Sequence, residues 1–354
     1  MTHDYKNILI IKPSAMGDVV HAMPVLASLR AAFPDARISW LVRNEFAPLL
    51  ECVSGLDEIV LFDRKLLGKW FYSPAAFKAL RGFMRSLKNN RYDLVLDLQG
   101  LFRTAFFAWV TDSAKRIGMV DCREFAGFFY SHRICRPLNS MHLLDYYHAL
   151  LADAGVDAVL ATESYLNTPE EAKVSVRQKL EQAGIPSKDY FVLMPSSAHF
   201  SKCWPVERFV KLAETIHQQF GAAIVVIGTE KDRSIVDAIK TSCQSPVVDL
   251  ANRTTILELI ALLQNAKGVV SNDTGPGHIA AAMHVPTVLI FGHTNPMRVG
   301  PYRRPECIAA IEADNRPKTI ESNNPKHSIE NVPLELVLNK LKAQLKPKSL
   351  NDSE

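Results

Sequence analysis

The sequence predicts an α/β protein made of two doubly wound domains facing a cleft. Short, continuous apolar runs rich in β-branched residues alternate with longer amphipathic ones. That is the pattern of parallel strands buried on both faces and joined through helices. The pattern also restarts: "NILIIKPSAMGD" opens one series and "YFVLMPSSAHFSKCW" a second, each a strand running into a Pro/Ser loop. Finally, 354 residues exceed one typical domain and suffice for two cores.

In chain order, strands are expected at Asn7–Lys12, Arg37–Val42, Glu58–Phe62, Leu94–Leu98 and Arg116–Gly118. After a break they resume at Tyr190–Met194, Ala223–Ile227, Val247–Asp249, Gly268–Ser271 and Thr287–Phe291. Helices fall between them, at Val19–Phe33, Ala75–Asn89, Thr104–Thr111, Leu143–Ala154, Pro169–Ala183, Pro205–Phe220, Ile235–Ser242, Ile256–Ala266 and His278–Met283. Pro24 implies that the first helix is kinked or starts late. The seam lies within 157–186, giving domains at 1–165 and 166–330. Residues 331–354 supply a last helix, Pro333–Leu345, and a polar tail.

The net charge of +4 is mild and demands no nucleic-acid partner. Six scattered cysteines show neither C-x-x-C nor zinc spacing, so reduced thiols in a cytoplasmic protein are expected. The first apolar run is too short for a signal peptide, and no run approaches the ~18 apolar residues of a membrane span.

"SNDTGPGHIAAA", Ser271 to Ala282, has three readings. Asp-Thr-Gly suits an aspartic protease, but those need two such carboxylates in an all-β fold. G-x-G-x-x-A suits a dinucleotide site, but Asp273 and Thr274 separate the glycines from the strand, and no acid ends the next strand to hold a ribose. The third reading is a strand-to-helix turn for an anionic ligand. Gly275 and Gly277 let backbone approach, and the helix from His278 offers free amides and its dipole. Asp273 could instead be only an N-cap. In the loop after Tyr190–Met194, Ser196 and Ser197 can donate to phosphate oxygens and Lys202 adds a charge.

In "IKPSAMGDVVH", Gly17 permits a tight turn and Asp18 sits where an N-cap would. A carboxylate there also suits a general base, and the residues alone do not separate the two. Asp97, Gln99 and Arg103 in "DLQGLFRTA" would rim the same face. Arg64, Lys65 and Lys69 in "RKLLGK" suit an acidic acceptor or an ordinary charged loop. Arg123 and His142 are further candidates.

With "ILIIKPSAMGDVVHAMPVLASLRAAFPDARISWLV" near the start and "NDTGPGHIAAAMHVPTVLIFGHTNP" near the end, the chain resembles family 9 glycosyltransferases, the ADP-heptose:lipopolysaccharide heptosyltransferases. The resemblance implies a GT-B architecture of two Rossmann-like domains, acceptor domain first and donor domain second, with the last helix packing back on the first. It implies inverting, metal-independent transfer of L-glycero-D-manno-heptose from ADP-heptose to a Kdo residue of the inner core, with no cofactor required. Asp18 would be the base. Asp273, Thr274, Gly275 and His278 would form the diphosphate turn, beside Ser196, Ser197 and Lys202. Asp232 aligns with a ribose-holding acid, and Thr254 with the adenine contact. "DLQGLFRTA" looks more like the first heptosyltransferase than the second. A Kdo-bearing lipid A acceptor implies transient contact with the cytoplasmic face of the inner membrane. The rival readings are a family member using another nucleotide sugar or a later core acceptor, and a non-catalytic nucleotide-sugar-binding protein.

Overall fold

The computed structural model describes residues 4–159, 165–185 and 189–345. The polar tail and parts of the seam lie outside these. The chain divides into two compact units between Asn167 and Thr168.

The first unit runs β1 (Asn7–Ile11), α1 (Met16–Ala32), β2 (Arg37–Arg43), α2 (Ala47–Glu51), β3 (Glu58–Phe62), α3 (Arg64–Leu67), α4 (Pro74–Asn89), β4 (Leu94–Asp97), α5 (Phe102–Val110), β5 (Lys115–Met119), β6 (His132–Ile134) and α6 (Leu143–Asp153). Its six strands lie in the order β3-β2-β1-β4-β5-β6, every pairing parallel. The central strands are apolar because helices cover both faces. Leu9, Ile11, Leu41, Val95 and Phe107 build one such layer.

The second unit runs α7 (Glu170–Gln182), β7 (Tyr190–Met194), α8 (Val206–Phe220), β8 (Ala223–Val226), α9 (Arg233–Ser242), β9 (Val247–Asp249), α10 (Ile256–Gln264), β10 (Gly268–Asn272), α11 (Gly275–Ala282), β11 (Thr287–Ile290), α12 (Pro296–Val299), β12 (Ile308–Ala309) and α13 (Leu334–Leu345). Its order, β9-β8-β7-β10-β11-β12, repeats the first sheet's plan. Local chemistry sets the helix starts. Thr255 and Glu258 form a reciprocal capping box on α10, and Gly221 at φ 64° ends α8.

Two expectations need correction. The first helix begins at Met16, before Val19, and carries Pro24 inside it. Its N-cap is Ala15, so Asp18 is the third helical residue. Two short edge strands, β6 and β12, were not foreseen. The last helix packs on the core of its own unit: Val337, Leu338 and Leu341 join Phe191, Phe209, Val270 and Val288. The Gln344 side chain ties it to β11, accepting from Thr287 N at 3.0 Å and donating to Thr287 O at 2.9 Å.

Candidate active site

In each sheet the chain leaves two adjacent strands in opposite directions, β1 and β4 in the first, β7 and β10 in the second. A crevice opens at such a switch point, outside the carboxyl ends of the strands. Asp18 follows β1 at the first switch point, and Lys202, Asp273 and His278 follow β7 and β10 at the second.

In the second unit, buried Asn272 joins the two loops. Its side chain donates to Pro195 O at 2.7 Å and accepts from Trp204 N at 3.0 Å. Asp273 follows, held from both sides: Oδ2 lies 3.0 Å from Lys202 Nζ and Oδ1 3.1 Å from His278 Nε2. Burial pushes the Asp273 carboxyl up. The hydrogen bond and charge at His278 and the Lys202 ammonium outweigh it and hold the group well below the usual carboxylate range. Trp204 is buried in the core, while Lys202 stays a quarter exposed. The exposed partner in this cluster is therefore the cation.

The cap of α11 is Thr274, whose Oγ1 accepts from Gly277 N at 3.4 Å and pairs with Ser271 Oγ at 2.8 Å. Asp273 is thus not the N-cap, and the helix starts at Gly275, three residues before His278. Gly277 also has a packing role. A Cβ there would strike Leu289 and come within 2.8 Å of Ser271 Oγ. The missing side chain lets α11 sit close on β10 and β11.

The remaining donor candidates lie on neighbouring loops at the same sheet edge. Ser196 and Ser197 follow β7 and are partly exposed. The Ser196 hydroxyl lies near Gly228, after β8. Asp232 closes the turn at Thr229, its Oδ2 accepting from Thr229 N at 2.6 Å and Oγ1 at 2.8 Å. Thr254 stands after β9, next to the Thr255 cap. On the other side of β10, a pocket of about 340 Å³ is lined by Ser201, Lys202, His293, Thr294, Glu321 and Ser322, among others. The Arg316 guanidinium braces it by donating to the carbonyls of Gly292 and Thr294 at 2.6 and 2.7 Å. This wall was missed, because its parts come from three segments, around residues 201, 293 and 321, that are far apart in the chain.

In the first unit, Asp18 Oδ2 accepts from Ala15 N at 3.2 Å and lies 3.6 Å from Lys12 Nζ. Among the described residues no donor is found for its Oδ1. Gly17 shares this first turn of α1. Lys12, not foreseen, is buried. Its ammonium donates to Leu98 O at 3.1 Å, a carbonyl that also receives the Tyr147 hydroxyl at 3.2 Å. Burial lowers the Lys12 pKa, but Tyr147, Asp18 and Asp97 more than compensate and raise it. Here the exposed member of the pair is the carboxylate, Asp18 at 38% against Lys12 at 5%.

Asp97 does not rim the crevice. It is fully buried, and it accepts from Gln99 N at 2.9 Å, Gly100 N at 3.2 Å and the Tyr130 hydroxyl at 2.8 Å. Burial raises its pKa, and its work is to brace the loop. Gln99 Oε1 is buried without a donor among the described residues. Arg103 lies over the Phe62 ring at 5.9 Å. Its pKa is lowered by burial and then by the charges of Arg64 and Arg43, so these three cations share one region. Lys65 and Lys69 are exposed beside them. Arg123 is exposed, its backbone tied to Gly100 O at 2.8 Å. His142 caps α6, accepting from Leu144 N at 3.0 Å, edge-on to His21 at 6.1 Å.

Two parallel six-stranded sheets of the same order fit the GT-B architecture of two Rossmann-like domains. The model of glycosyltransferase family 9 (heptosyltransferase) matches residues 80–328, and the chain belongs to this family. It is 24% identical over 316 residues to the lipopolysaccharide core heptosyltransferase OpsX of Haemophilus influenzae, covering 88% of this chain and 86% of that one. It is 29% identical over 319 residues to lipopolysaccharide heptosyltransferase 1 of Salmonella typhimurium, covering 87% and 95%. The E. coli heptosyltransferase WaaC solved with ADP superposes with a TM-score of 0.74 at 22% identity, covering 96% and 99%.

Proposed function

We propose that the protein transfers a heptose from ADP-heptose to a Kdo residue of the lipopolysaccharide inner core, with inversion and without a metal ion. The first unit takes the acceptor and the second the donor. The observation that carries this reading is the Lys202–Asp273–His278 cluster at the start of α11, whose solvent-facing cation suits a diphosphate. The names of the similar heptosyltransferases support the sugar and the acceptor class.

Asp18 takes the proton of an acceptor hydroxyl as that oxygen attacks the anomeric carbon from the face opposite the diphosphate. The bond from carbon to diphosphate oxygen breaks, and its electron pair leaves with ADP. Lys202, the hydroxyls of Ser196 and Ser197, and the Gly275 amide at the start of α11 take up the growing negative charge. Asp232 and Thr254 hold the nucleoside on the β8 and β9 side. The cations Arg43, Arg64 and Arg103, with Lys65 and Lys69, meet the acidic acceptor. The chain has no D-x-D triplet of the kind that clamps a metal-bound diphosphate, and fixed cations with a helix N-terminus serve in its place.

No helix among the described residues is long and apolar enough to cross a membrane. A lipid-anchored acceptor therefore requires the protein to dock on the cytoplasmic face of the bilayer.

The test is ADP release from ADP-heptose in EDTA, with and without Kdo-bearing lipid A. Acceptor-dependent release is expected. Tight ADP binding without release would point to another sugar or acceptor, and failure to bind ADP would overturn the donor reading.

A further inference from the structure

Between Arg64 and Tyr92 the chain carries eight of its 41 basic residues and none of its 37 acidic ones. The charge balance of the remainder is therefore net negative. All eight, Arg64, Lys65, Lys69, Lys78, Arg81, Arg85, Lys88 and Arg91, are exposed. Among the described residues only Lys88 has an ion-pair partner, Asp112 at 3.2 Å.

The same segment exposes large aromatic rings that its core does not use. Phe71 is 83% and Tyr72 72% exposed, and Trp70 and Phe77 about half. The first three form the turn between α3 and α4. The helical period then sorts α4 into two faces. Leu80, Phe83 and Leu87 turn inward, to the cluster around Leu9 and Phe107, and Ala76 is buried. Phe77, Arg81, Arg85 and Lys88 recur at helical spacing on the outer face. Arg81 lies over the Phe77 ring at 6.0 Å. An aromatic turn leading into a helix with a cationic outer face is neither a core element nor an ordinary solvated surface.

We propose that the turn 70–72 and the outer face of α4 form a docking surface for anionic phospholipid bilayers. Trp and Tyr rings settle at the level of the lipid headgroups, and the arginines and lysines meet the anionic surface beside them. A helix with cations outward and its apolar face already spent on the protein core adsorbs flat, without inserting. The rings supply apolar anchoring and the charges supply lipid selectivity. The surface lies immediately after Arg64, Lys65 and Lys69, so docking brings the acceptor-binding loop to the membrane that holds the acceptor. In that last respect the inference rests on the proposed function; the docking itself does not.

The experiment is flotation of the full chain with vesicles of phosphatidylcholine, alone or mixed with phosphatidylglycerol, for the parent and two double variants, Trp70→Ala/Phe71→Ala and Arg81→Glu/Arg85→Glu. The parent is expected to float with the mixed vesicles, less so as salt is raised, and not with phosphatidylcholine alone. Each cation near an anionic surface strengthens adsorption roughly fivefold, so the arginine reversal should lower partitioning by at least about tenfold. Turnover on a water-soluble delipidated acceptor should stay at the parental level in both variants, while turnover on a vesicle-embedded acceptor falls with partitioning. Parental flotation in either variant would overturn the proposal, as would absence of binding by the parent. A preference for oligonucleotides over anionic vesicles, lost in the same variants, would also overturn it. Flotation uses neither donor nor transfer chemistry, so an error in the sugar or the acceptor would leave this result standing.

Discussion

The two switch points are built on one plan with opposite polarity. At the first, Lys12 is buried and Asp18 is 38% exposed. At the second, Asp273 is nearly buried, at 10%, and Lys202 reaches solvent at 25%. Each crevice thus holds a Lys–Asp pair, with one member fixed and the other presented. A presented carboxylate beside a fixed ammonium can take a proton. A presented ammonium anchored by a fixed carboxylate can meet a phosphate. On the proposed function, the same sheet order and the same pair of side chains would serve two halves of one reaction, with burial setting which half.

The largest expected effect follows from the presented carboxylate. Asp18→Asn keeps the cap acceptor and loses the base, and turnover should fall by about 10³-fold. Steady-state rates at saturating donor and acceptor check this, and parental turnover would break the comparison on its first side. Lys202→Met removes the presented cation, and turnover should fall by about 10²-fold, the usual worth of one preorganised charge on a leaving group.

Removing the fixed member should act on the fold as well. Asp273→Asn is expected to lower unfolding free energy by about 2–3 kcal/mol at neutral pH, less than a fully buried pair because Lys202 can re-solvate. The folded pKa of Asp273 is depressed, so its contribution is complete above the unfolded value of about 3.9 and fades as pH falls toward the folded one. Melting curves of parent and variant should converge below about pH 4, and a gap that widens in acid would contradict the pairing. The smallest effect is at Gly277→Ala, where the new methyl meets Leu289 and Ser271. About 1–2 kcal/mol of overpacking is expected, with ADP affinity reduced only if α11 shifts.

The central strands were legible because burial on both faces leaves an unbroken apolar run, as in Ile8–Ile11. β6, His-Arg-Ile with two exposed residues, carries no such run, and β12 is two residues long. The start of α1 was misplaced for a specific reason. Ala15 contributes no side-chain cap, and Asp18 closes the turn backward from the third helical position. Cap preferences therefore pointed three residues late. The loops of the candidate site are legible because they follow strands, and Asp18, Lys202, Asp273 and His278 stand out there as ionisable side chains.

Lys12 could not be found in the same way. It reads as the end of an apolar strand, and its carbonyl partner, Leu98, lies 86 residues away. Asn272 binds residues 68 and 77 positions distant. Asp97 looked available because it stands at the end of a strand, shortly before Gln99 and Arg103, yet the Tyr130 hydroxyl and two amides enclose it. Which member of a charged pair is presented depends on packing between distant segments, and local pattern does not contain it.

The measurement that reaches the central claim most directly is ADP affinity by titration calorimetry, with Asp18→Asn and Lys202→Met compared against the parent. The division of labour predicts an unchanged dissociation constant in the first and one weakened about tenfold or more in the second. Equal weakening in both, or none in Lys202→Met, would contradict it.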